Sequence, residues 1–522
     1  MRTLAPWWFP LILTMLLACG PVRAEETFDI LEYQVEGNEV LPVPAIERAV
    51  YPFLGEKREV QDVEKARVAL EQAYRDAGYL TVQVLVPEQE VKDKVVRLSV
   101  VGGTVSKVRV AGSRYYSQGR ILERAAALKE GETLHFPDVQ KDMAALNRTA
   151  ALRVVPVLRP GPKFGTTEVD LNVSDQRPYG FNAGLNNYSS PNTTDLRLSV
   201  GARYDNLWQR GHSIGLLVQT SPEDTKEVLA LSASYAVPLS GNRGTLAAYY
   251  VASDSNVAVV GNQAVLGKGS IFGLRWNKPL PAVGAFNHSV TLGADYKDFQ
   301  QNIGQPGQPA IDQPIRYVPA TASWNASRQG ERGVTALSTG VVFGIRGLSD
   351  DEQVFANRRF NARGNFLVWR FEAARTQILR HNLSAFVQVD GQRASGPLIV
   401  NEQFLGGGAS QTSVRGYLEA EVAGDDGTHA TIELRRSVST KAISEHFSEL
   451  QVLVFADGVY VTTQDALPGQ ARFAWLSSAG LGLRARATNG LRLVLDLGVP
   501  FKSTQFTDAG KPAAQFSLTY QY

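Results

Sequence analysis

The sequence predicts an α+β N-terminal portion followed by an all-β, 16-stranded antiparallel barrel that crosses a membrane. Three observations lead there. An apolar segment at the start reads as an export signal. From about residue 178 onward, segments of about ten residues alternate apolar and polar side chains, the weak signature of a membrane barrel. No later segment has the roughly 20 continuous apolar residues of a membrane helix. An exported chain of this kind is either soluble or spans as a closed barrel, because in lipid every backbone group must be satisfied internally.

The export signal comes first. Arg2 supplies a thin positive start, and Trp7 to Ala18 is an apolar run too short to cross a bilayer. Val22-Arg23-Ala24 offers small residues for cleavage, so residues 1–24 are expected to be removed and Glu25 to begin the mature chain. A rival reading takes Leu16-Leu17-Ala18-Cys19 as a lipoprotein box, in which Leu17 fits poorly. Cys19 is the only cysteine, so cleavage after Ala24 leaves an exported chain without disulfides. A formal net charge of +2 over 522 residues gives no reason to expect a nucleic-acid partner.

Residues 25 to about 175 alternate strand and helix signals, and fall into two copies of one β-α-α-β-β unit. In the first, Phe28 to Val35 is a strand and Pro44 to Tyr51 a short helix. Asp62 to Ala77 is a longer helix, with Val63, Ala66, Leu70, Ala73, Tyr74 and Ala77 on one face. Gly78 stops it, and strands follow at Leu80 to Val86 and Val95 to Val101. The second copy places strands at Lys107 to Val110, Leu152 to Leu158 and Glu168 to Val173, with helices at Arg120 to Leu128 and Pro137 to Thr149. Each copy, at about 75 residues, is large enough to fold alone.

The second half carries 16 alternating segments, an even number as bacterial barrels require. They begin near 179, 194, 212, 227, 243, 268, 287, 315, 333, 359, 379, 427, 448, 473, 489 and 513. Leu491, Leu493, Leu495, Leu497 and Val499 share one face, while Arg492, Asp496 and Gly498 share the other. The apolar set is expected to face lipid and the polar set a wet lumen. With the N-terminal units in the periplasm, residues 255–267, 299–314, 346–358, 394–426 and 500–512 are external, and turns such as 238–242, 328–332 and 374–378 are internal and short. Phe516, Leu518, Tyr520 and Tyr522 alternate and end the chain on an aromatic, which resembles the C-terminal signal recognised by barrel-assembly machinery.

The longest external connection, 394–426, contains Phe404-Leu-Gly-Gly-Gly408 and Ser413-Val-Arg-Gly-Tyr417. Loops this long in compact proteins are usually functional or disordered. Val414, Arg415, Gly416 and Tyr417 match the VRGY/VRGF motif of the BamA-like superfamily of outer-membrane assembly and secretion proteins. That resemblance implies a loop folded into the lumen, its arginine paired with an aspartate of an F-x-D-x-G motif in the wall. Phe455-Ala-Asp457-Gly458-Val459 is the counterpart here, a partial match with Gly458 one place early. The alternation puts Asp457 on the lumenal face.

Gly78-Tyr79-Leu-Thr-Val-Gln-Val-Leu-Val-Pro87-Glu-Gln89 resembles the GY…PxQ stretch of ShlB-type POTRA domains. Leu158-Arg-Pro160-Gly161, Asp205-Asn-Leu-Trp-Gln-Arg-Gly-His212 and Gln219-Thr-Ser-Pro-Glu-Asp224 extend the match along nearly all of the mature chain. The chain is thus similar to the ShlB/FhaC transporters of two-partner secretion. The resemblance implies POTRA domains at 25–103 and 104–176 and a barrel at 177–522. It further implies a secreted exoprotein partner with an N-terminal secretion domain, contact with outer-membrane lipid, and barrel-assembly machinery and periplasmic chaperones during biogenesis. Some members carry a plug helix before the first POTRA domain. The short stretch from Glu25 to Phe28 leaves no room for it, so closure by the loop alone is expected.

No P-loop, H-E-x-x-H or G-x-S-x-G is present, so neither an enzyme nor a cofactor or metal site is expected. Capture of an unfolded partner by strand addition is expected at Leu80, Val82, Val84 and Val86, and at Val154 and Val157. Pro156 suits an edge strand. A barrel-insertion factor of the same superfamily and a passive porin are the alternatives. The first usually carries more POTRA domains, and the second needs neither POTRA domains nor the Val414–Tyr417 loop.

Overall fold

A computed structural model describes residues 27–522 except 92, 148–150, 240–242, 255–256, 261–262, 267, 301, 304–310, 313, 410–413 and 440–445. The export signal, Cys19, Ala24, Glu25, Thr149 and Ser413 lie outside the described residues, as do parts of 255–267 and 299–314. The chain divides into two compact units between Gln176 and Arg177.

The N-terminal unit holds two three-stranded sheets, each with a central strand flanked by one parallel and one antiparallel neighbour. In the first, Val95–Val101 lies between Glu32–Glu36 and Gln83–Leu85. Its core gathers Ile30, Leu98 and Val96 against Leu70 and Tyr74 of the helix Val60–Asp76. The expected strand at Phe28 to Val35 is two strands, Phe28–Ile30 and Glu32–Glu36, and the former pairs with Gly55–Arg58. The sequence reading left out Gly55–Arg58 because Glu56-Lys57-Arg58 has no apolar alternation to detect. The strand expected at Leu80 to Val86 shortens to Gln83–Leu85. The helix stop is longer than Gly78 alone: Tyr79 donates its N–H to the Tyr74 carbonyl and Val82 to that of Tyr79, which keeps residues 79–82 in a turn.

In the second sheet Thr166–Asp175 is central, between Thr104–Ala111 and Leu152–Pro160. The helices Gln118–Arg124 and Phe136–Leu146 cover it. Asp175, at the end of the central strand, accepts the N–H groups of Arg114, Tyr115 and Tyr116 at 2.9, 2.7 and 3.0 Å. Burial pushes this carboxyl up, but the three N–H donors outweigh it and hold it below the ordinary carboxylate range. Asp175→Ala is expected to destabilise this second sheet and its helices by roughly 1.5–3 kcal/mol at neutral pH. A folded-state pKa below the unfolded one stabilises above about pH 4 and is lost as pH falls through the folded value. Hydrogen exchange of this sheet in the whole protein should therefore show a penalty at pH 7 that shrinks below pH 4. A pH-independent penalty contradicts it.

The second unit is a closed barrel of 16 antiparallel strands. In order they are Tyr179–Asn186, Arg197–Leu207, His212–Thr220, Leu229–Pro238, Thr245–Asp254, Lys268–Val283, Phe286–Gln300, Ile315–Tyr317 with Pro319–Gly330, Gly333–Gly344, Leu367–Ile378, Leu383–Ala394, Asp426–Ser437, Phe447–Thr462, Phe473–Ala487, Leu491–Pro500 and Ala513–Gln521. The ring closes where the sixteenth strand pairs with the first, from Ser517↔Asn186 to Gln521↔Asn182. Tyr522 and Phe181 add a reciprocal pair of backbone bonds at 2.9 and 3.2 Å.

Alternation sorts the strands as expected. Leu481, Ile432 and Val200 on the outer face are 60, 58 and 55% exposed, whereas Asp496 is 2% exposed. A wall this apolar belongs in lipid. Among the described residues no helix is long and apolar enough to cross a membrane.

The tenth strand is a correction. It starts at Leu367, not near 359, because residues 352–358 form the helix Glu352–Arg358. Its internal turn follows at 379–382 rather than 374–378. His381 and Asn382 there have φ of 58° and 59°, the pair of positive values that a two-residue hairpin turn needs.

Candidate functional site: the loop inside the barrel

The eleventh and twelfth strands are joined by 395–425, whose described residues, 395–409 and 414–425, fold against the inner wall. Two short strands, Phe404–Gly406 and Val422–Gly424, pair as the stem. Val414 and Tyr417 are buried with Phe404 against Val459, Val461 and Leu476 of the thirteenth and fourteenth strands. These wall residues point inward, so the thirteenth strand is apolar on both faces. Its outer face carries Val452, Val454 and Tyr460.

Arg415, 3% exposed, is the centre of the arrangement. Its Nε and Nη2 donate to the two oxygens of Asp457, each at 2.7 Å, and its backbone N–H donates to Asp457 Oδ2 at 3.1 Å. Such a two-pronged, charge-assisted contact is among the stronger kinds of hydrogen bond. Nη1 donates to Glu433 at 2.6 Å and Nη2 to Thr431 at 3.1 Å, and Asp496 stands 3.6 Å away. The guanidinium lies 3.6 Å from the centre of the Phe455 ring. Arg435 pairs with Glu433 and Arg484 with Asp496. The wall thus holds three carboxylates against three arginines, a balance that keeps buried charge compensated.

The backbone of the apex is held as firmly. Gln515 of the sixteenth strand accepts from the Gly416 N–H at 2.9 Å and donates to the Tyr417 carbonyl at 2.8 Å. The Tyr417 hydroxyl donates to the Lys502 carbonyl at 2.9 Å. Gly416 has φ of +96°, which favours glycine. Gly498 of the fifteenth strand allows the close approach, since a Cβ there would lie 2.6 Å from the Arg415 carbonyl oxygen.

Of the residues named from sequence, Val414, Arg415, Gly416, Tyr417, Phe455 and Asp457 meet at one place. Gly458 does not join them: a Cβ there would have only the Leu476 carbonyl within 4 Å, on the outer side. Glu433, Thr431 and Gln515 were missed. Asp496 and Gly498 were placed on the lumenal face but not in the site, because nothing in the strand says which lumenal positions face the loop.

The stem has two further anchors that sequence reading did not find. Glu402, 1% exposed, accepts from Lys297 at 2.5 Å and from the Tyr317 hydroxyl at 2.8 Å. Asp425 pairs with Arg359 and accepts the Leu398 N–H at 2.8 Å. Among the described residues no group of three or more His, Cys, Asp or Glu side chains could hold a metal ion.

Comparison with known proteins decides the family. The model of the haemolysin secretion/activation protein ShlB/FhaC/HecB matches residues 165–485, and that of the ShlB-type POTRA domain matches residues 28–103. The chain belongs to the ShlB/FhaC/HecB family. It is therefore an outer-membrane transporter of the two-partner secretion type, with POTRA domains in the periplasm and a secreted exoprotein as partner. The heme/hemopexin transporter protein HuxB of Haemophilus influenzae (strain 86-028NP) is 19% identical over 472 residues, 88% of this chain and 81% of its own. The outer membrane transporter CdiB of Escherichia coli O6:K15:H31 is 24% identical over 179 residues, 34% of this chain and 30% of its own. Among solved structures, CdiB from Escherichia coli has a TM-score of 0.63 at 17% identity, covering 98% of this chain and 94% of that one. BamA from Haemophilus ducreyi lacking POTRA domains 1–3 has a TM-score of 0.57 at 14% identity, covering 95% and 100%. Both share the fold.

Within this family reading, the expected capture residues fall unevenly. Gln83–Leu85 and Leu152–Pro160 are outer strands of their sheets. Val82 and Val84 are buried in the first core, while Leu80 and Val86 are exposed but outside the strand. In the second sheet, Val154 has its outward N–H and carbonyl taken by the Asn147 side chain at 2.6 and 2.9 Å. Outward donors recur every second residue. Val154 is thus capped, Pro156 and Pro160 have no N–H, and Leu158 is the one donor position left beyond Val154; Val157 points its N–H the other way.

Proposed function

We propose that this transporter binds its exoprotein unfolded along the POTRA sheet edges, passes it through the lumen once the Val414–Tyr417 apex is displaced, and draws on no ATP. The observation that carries this reading is the apex itself. It is held inside the barrel by one arginine and one glutamine clamp, a contact set that can be exchanged as a unit. Strand addition at Gln83–Leu85 and around Leu158 suits a cargo of varied sequence, since main-chain hydrogen bonds supply the affinity. Folding of the exoprotein outside removes it from the threading equilibrium and draws transport forward by mass action. Phe516, Leu518, Tyr520 and Tyr522 alternate along the last strand, where they serve as the signal to the barrel-assembly machinery after delivery by periplasmic chaperones.

Leu158→Pro tests the capture step. Leu158 is exposed, and the substitution removes the outward donor left beyond Val154 on that edge. Binding of the unfolded N-terminal segment of the exoprotein should weaken by about fivefold, the equivalent of one hydrogen bond worth about 1 kcal/mol. Unchanged affinity in a folded variant rules out the second edge as a docking strand.

A further inference from the structure

The lumen of a membrane barrel is expected to be polar along its length, and below the outer rim this one is. Arg275 forms a two-pronged pair with Asp295 there, and Lys297 pairs with Glu402. At the outer rim the character reverses. Eight consecutive strands, the fourth to the eleventh, each contribute at least one buried apolar residue to a single cluster at their external ends. Val251, Ile271, Phe299, Tyr317, Val342 and Val368 are among them. Their strand neighbours Phe272, Phe343, Leu367 and Trp369 face outward and are exposed. The inner face is therefore apolar at this level over half of the circumference, and on the sixth, ninth and tenth strands the outer face is apolar as well, whereas Asp298 and Arg316 pair on the outer face of the seventh and eighth.

That inner ring is covered by residues of two external connections. The segment 345–366 supplies Phe355, Ala362 and Phe366, and the base of the loop supplies Leu398 and Ile399. Phe355, on the helix Glu352–Arg358, is fully buried and meets the Tyr317 ring edge-on with centroids 5.8 Å apart. The helix is fastened at its C-terminal end. Arg358 donates to the Phe299 carbonyl at 3.1 Å. Arg359 pairs with Asp425 and donates to the carbonyls of Leu398 at 2.7 Å and Gln464 at 3.0 Å. One short segment thus bridges the seventh strand, the base of the loop and the connection after the thirteenth strand.

We infer that segment 345–366 is the closure of the pore against ions, a lid at the outer mouth seated on the apolar ring and distinct from the Val414–Tyr417 apex, which lies against one side of the wall. An apolar constriction without a lid would stand open to water. With Phe355 in place the ring is dry, and a dry apolar constriction stops ions and polar solutes. Passage of a polypeptide then requires two releases: the apex from its carboxylates, and the lid from its ring.

The test uses the full-length protein in planar bilayers, with insertion checked by heat-modifiable mobility on gels. Phe355→Ala should raise ion conductance severalfold over wild type while Arg415 stays unaltered. An inserted Phe355→Ala barrel with wild-type conductance overturns the proposal. Should that variant not insert, a tether decides. Arg359→Cys with Asp425→Cys places two thiols in a chain whose only native cysteine is Cys19. The untethered double variant should leak. Joining its thiols with a reducible bifunctional reagent should close the leak and stop secretion, and reduction should restore both. Equal conductance and secretion in the joined and reduced states overturn the proposal.

Discussion

Arg415→Ala should insert into the membrane yet secrete at least about tenfold less exoprotein per inserted barrel. The side chain makes hydrogen bonds to three wall residues and lies over a fourth, Phe455. Its removal leaves Asp457, Glu433 and Asp496 facing only Arg435 and Arg484. Breaking one partner out of a buried ion pair costs about 3–5 kcal/mol, because the remaining charge is left without compensation. That is enough to unseat the apex in most molecules, at about 1.4 kcal/mol per factor of ten, which leaves the arriving cargo no seated apex with which to exchange contacts. The unfolding temperature of the barrel should fall with it. Arg415→Lys should lie between, since it keeps the charge but cannot make the two-pronged contact with Asp457. An inserted Arg415→Ala barrel that secretes as the wild type does would remove the loop from the mechanism.

Gly498→Val should produce the same loss without touching a charge. A Cβ at Gly498 would stand 2.6 Å from the Arg415 carbonyl oxygen, 2.7 Å from its carbon and 2.8 Å from the Gly416 nitrogen. All three are backbone atoms, so the apex has to move rather than rotate a side chain. Forcing bulk into a packed site costs typically 1–3 kcal/mol, and here the backbone of the apex takes the strain. The fifteenth strand itself keeps its pairing, Gly480↔Gly498 on one side and Gly498↔Ala513 on the other. Thiol labelling of a cysteine placed at Tyr417 should therefore rise from blocked to rapid in Gly498→Val, alongside a drop in secretion comparable to that of Arg415→Ala. Slow labelling with normal secretion would mean that the close approach at Gly498 is incidental.

The barrel was legible because its alternation is enforced by two solvents. Lipid selects Leu491, Leu495 and Leu497 on one face, and water and charge select Arg492 and Asp496 on the other. The apex was legible because Val414-Arg415-Gly416-Tyr417 is a compact motif and because parity alone puts Asp457 inside. Period-two patterning reports a face, but not a height along the barrel or a neighbour across it. That is why Glu433, Thr431 and Gln515 escaped, although each lies on the inward side of its strand. The outer ring escaped for the opposite reason. Ile271-Phe272, Val341-Val342-Phe343 and Phe366-Leu367-Val368-Trp369 are runs without alternation, which a search for alternation discards. They are the visible trace of strand ends that are apolar on both sides. The helix Glu352–Arg358 was hidden inside the connection 346–358, and Phe360 just beyond it imitated the start of a strand.

In the proposed mechanism the exoprotein passes through the lumen of this barrel. Val387 and Gln388 test it from adjacent positions on one strand. Gln388 lines the inner cavity, and Val387 is 40% exposed on the outer face. A photo-reactive side chain is placed at each in turn, and an exoprotein fused to a fast-folding domain is stalled in transit. Passage through the lumen gives adducts from position 388 and none from position 387. Adducts from position 387 alone would place the cargo along the outer wall, as for a barrel-insertion factor, and would contradict it.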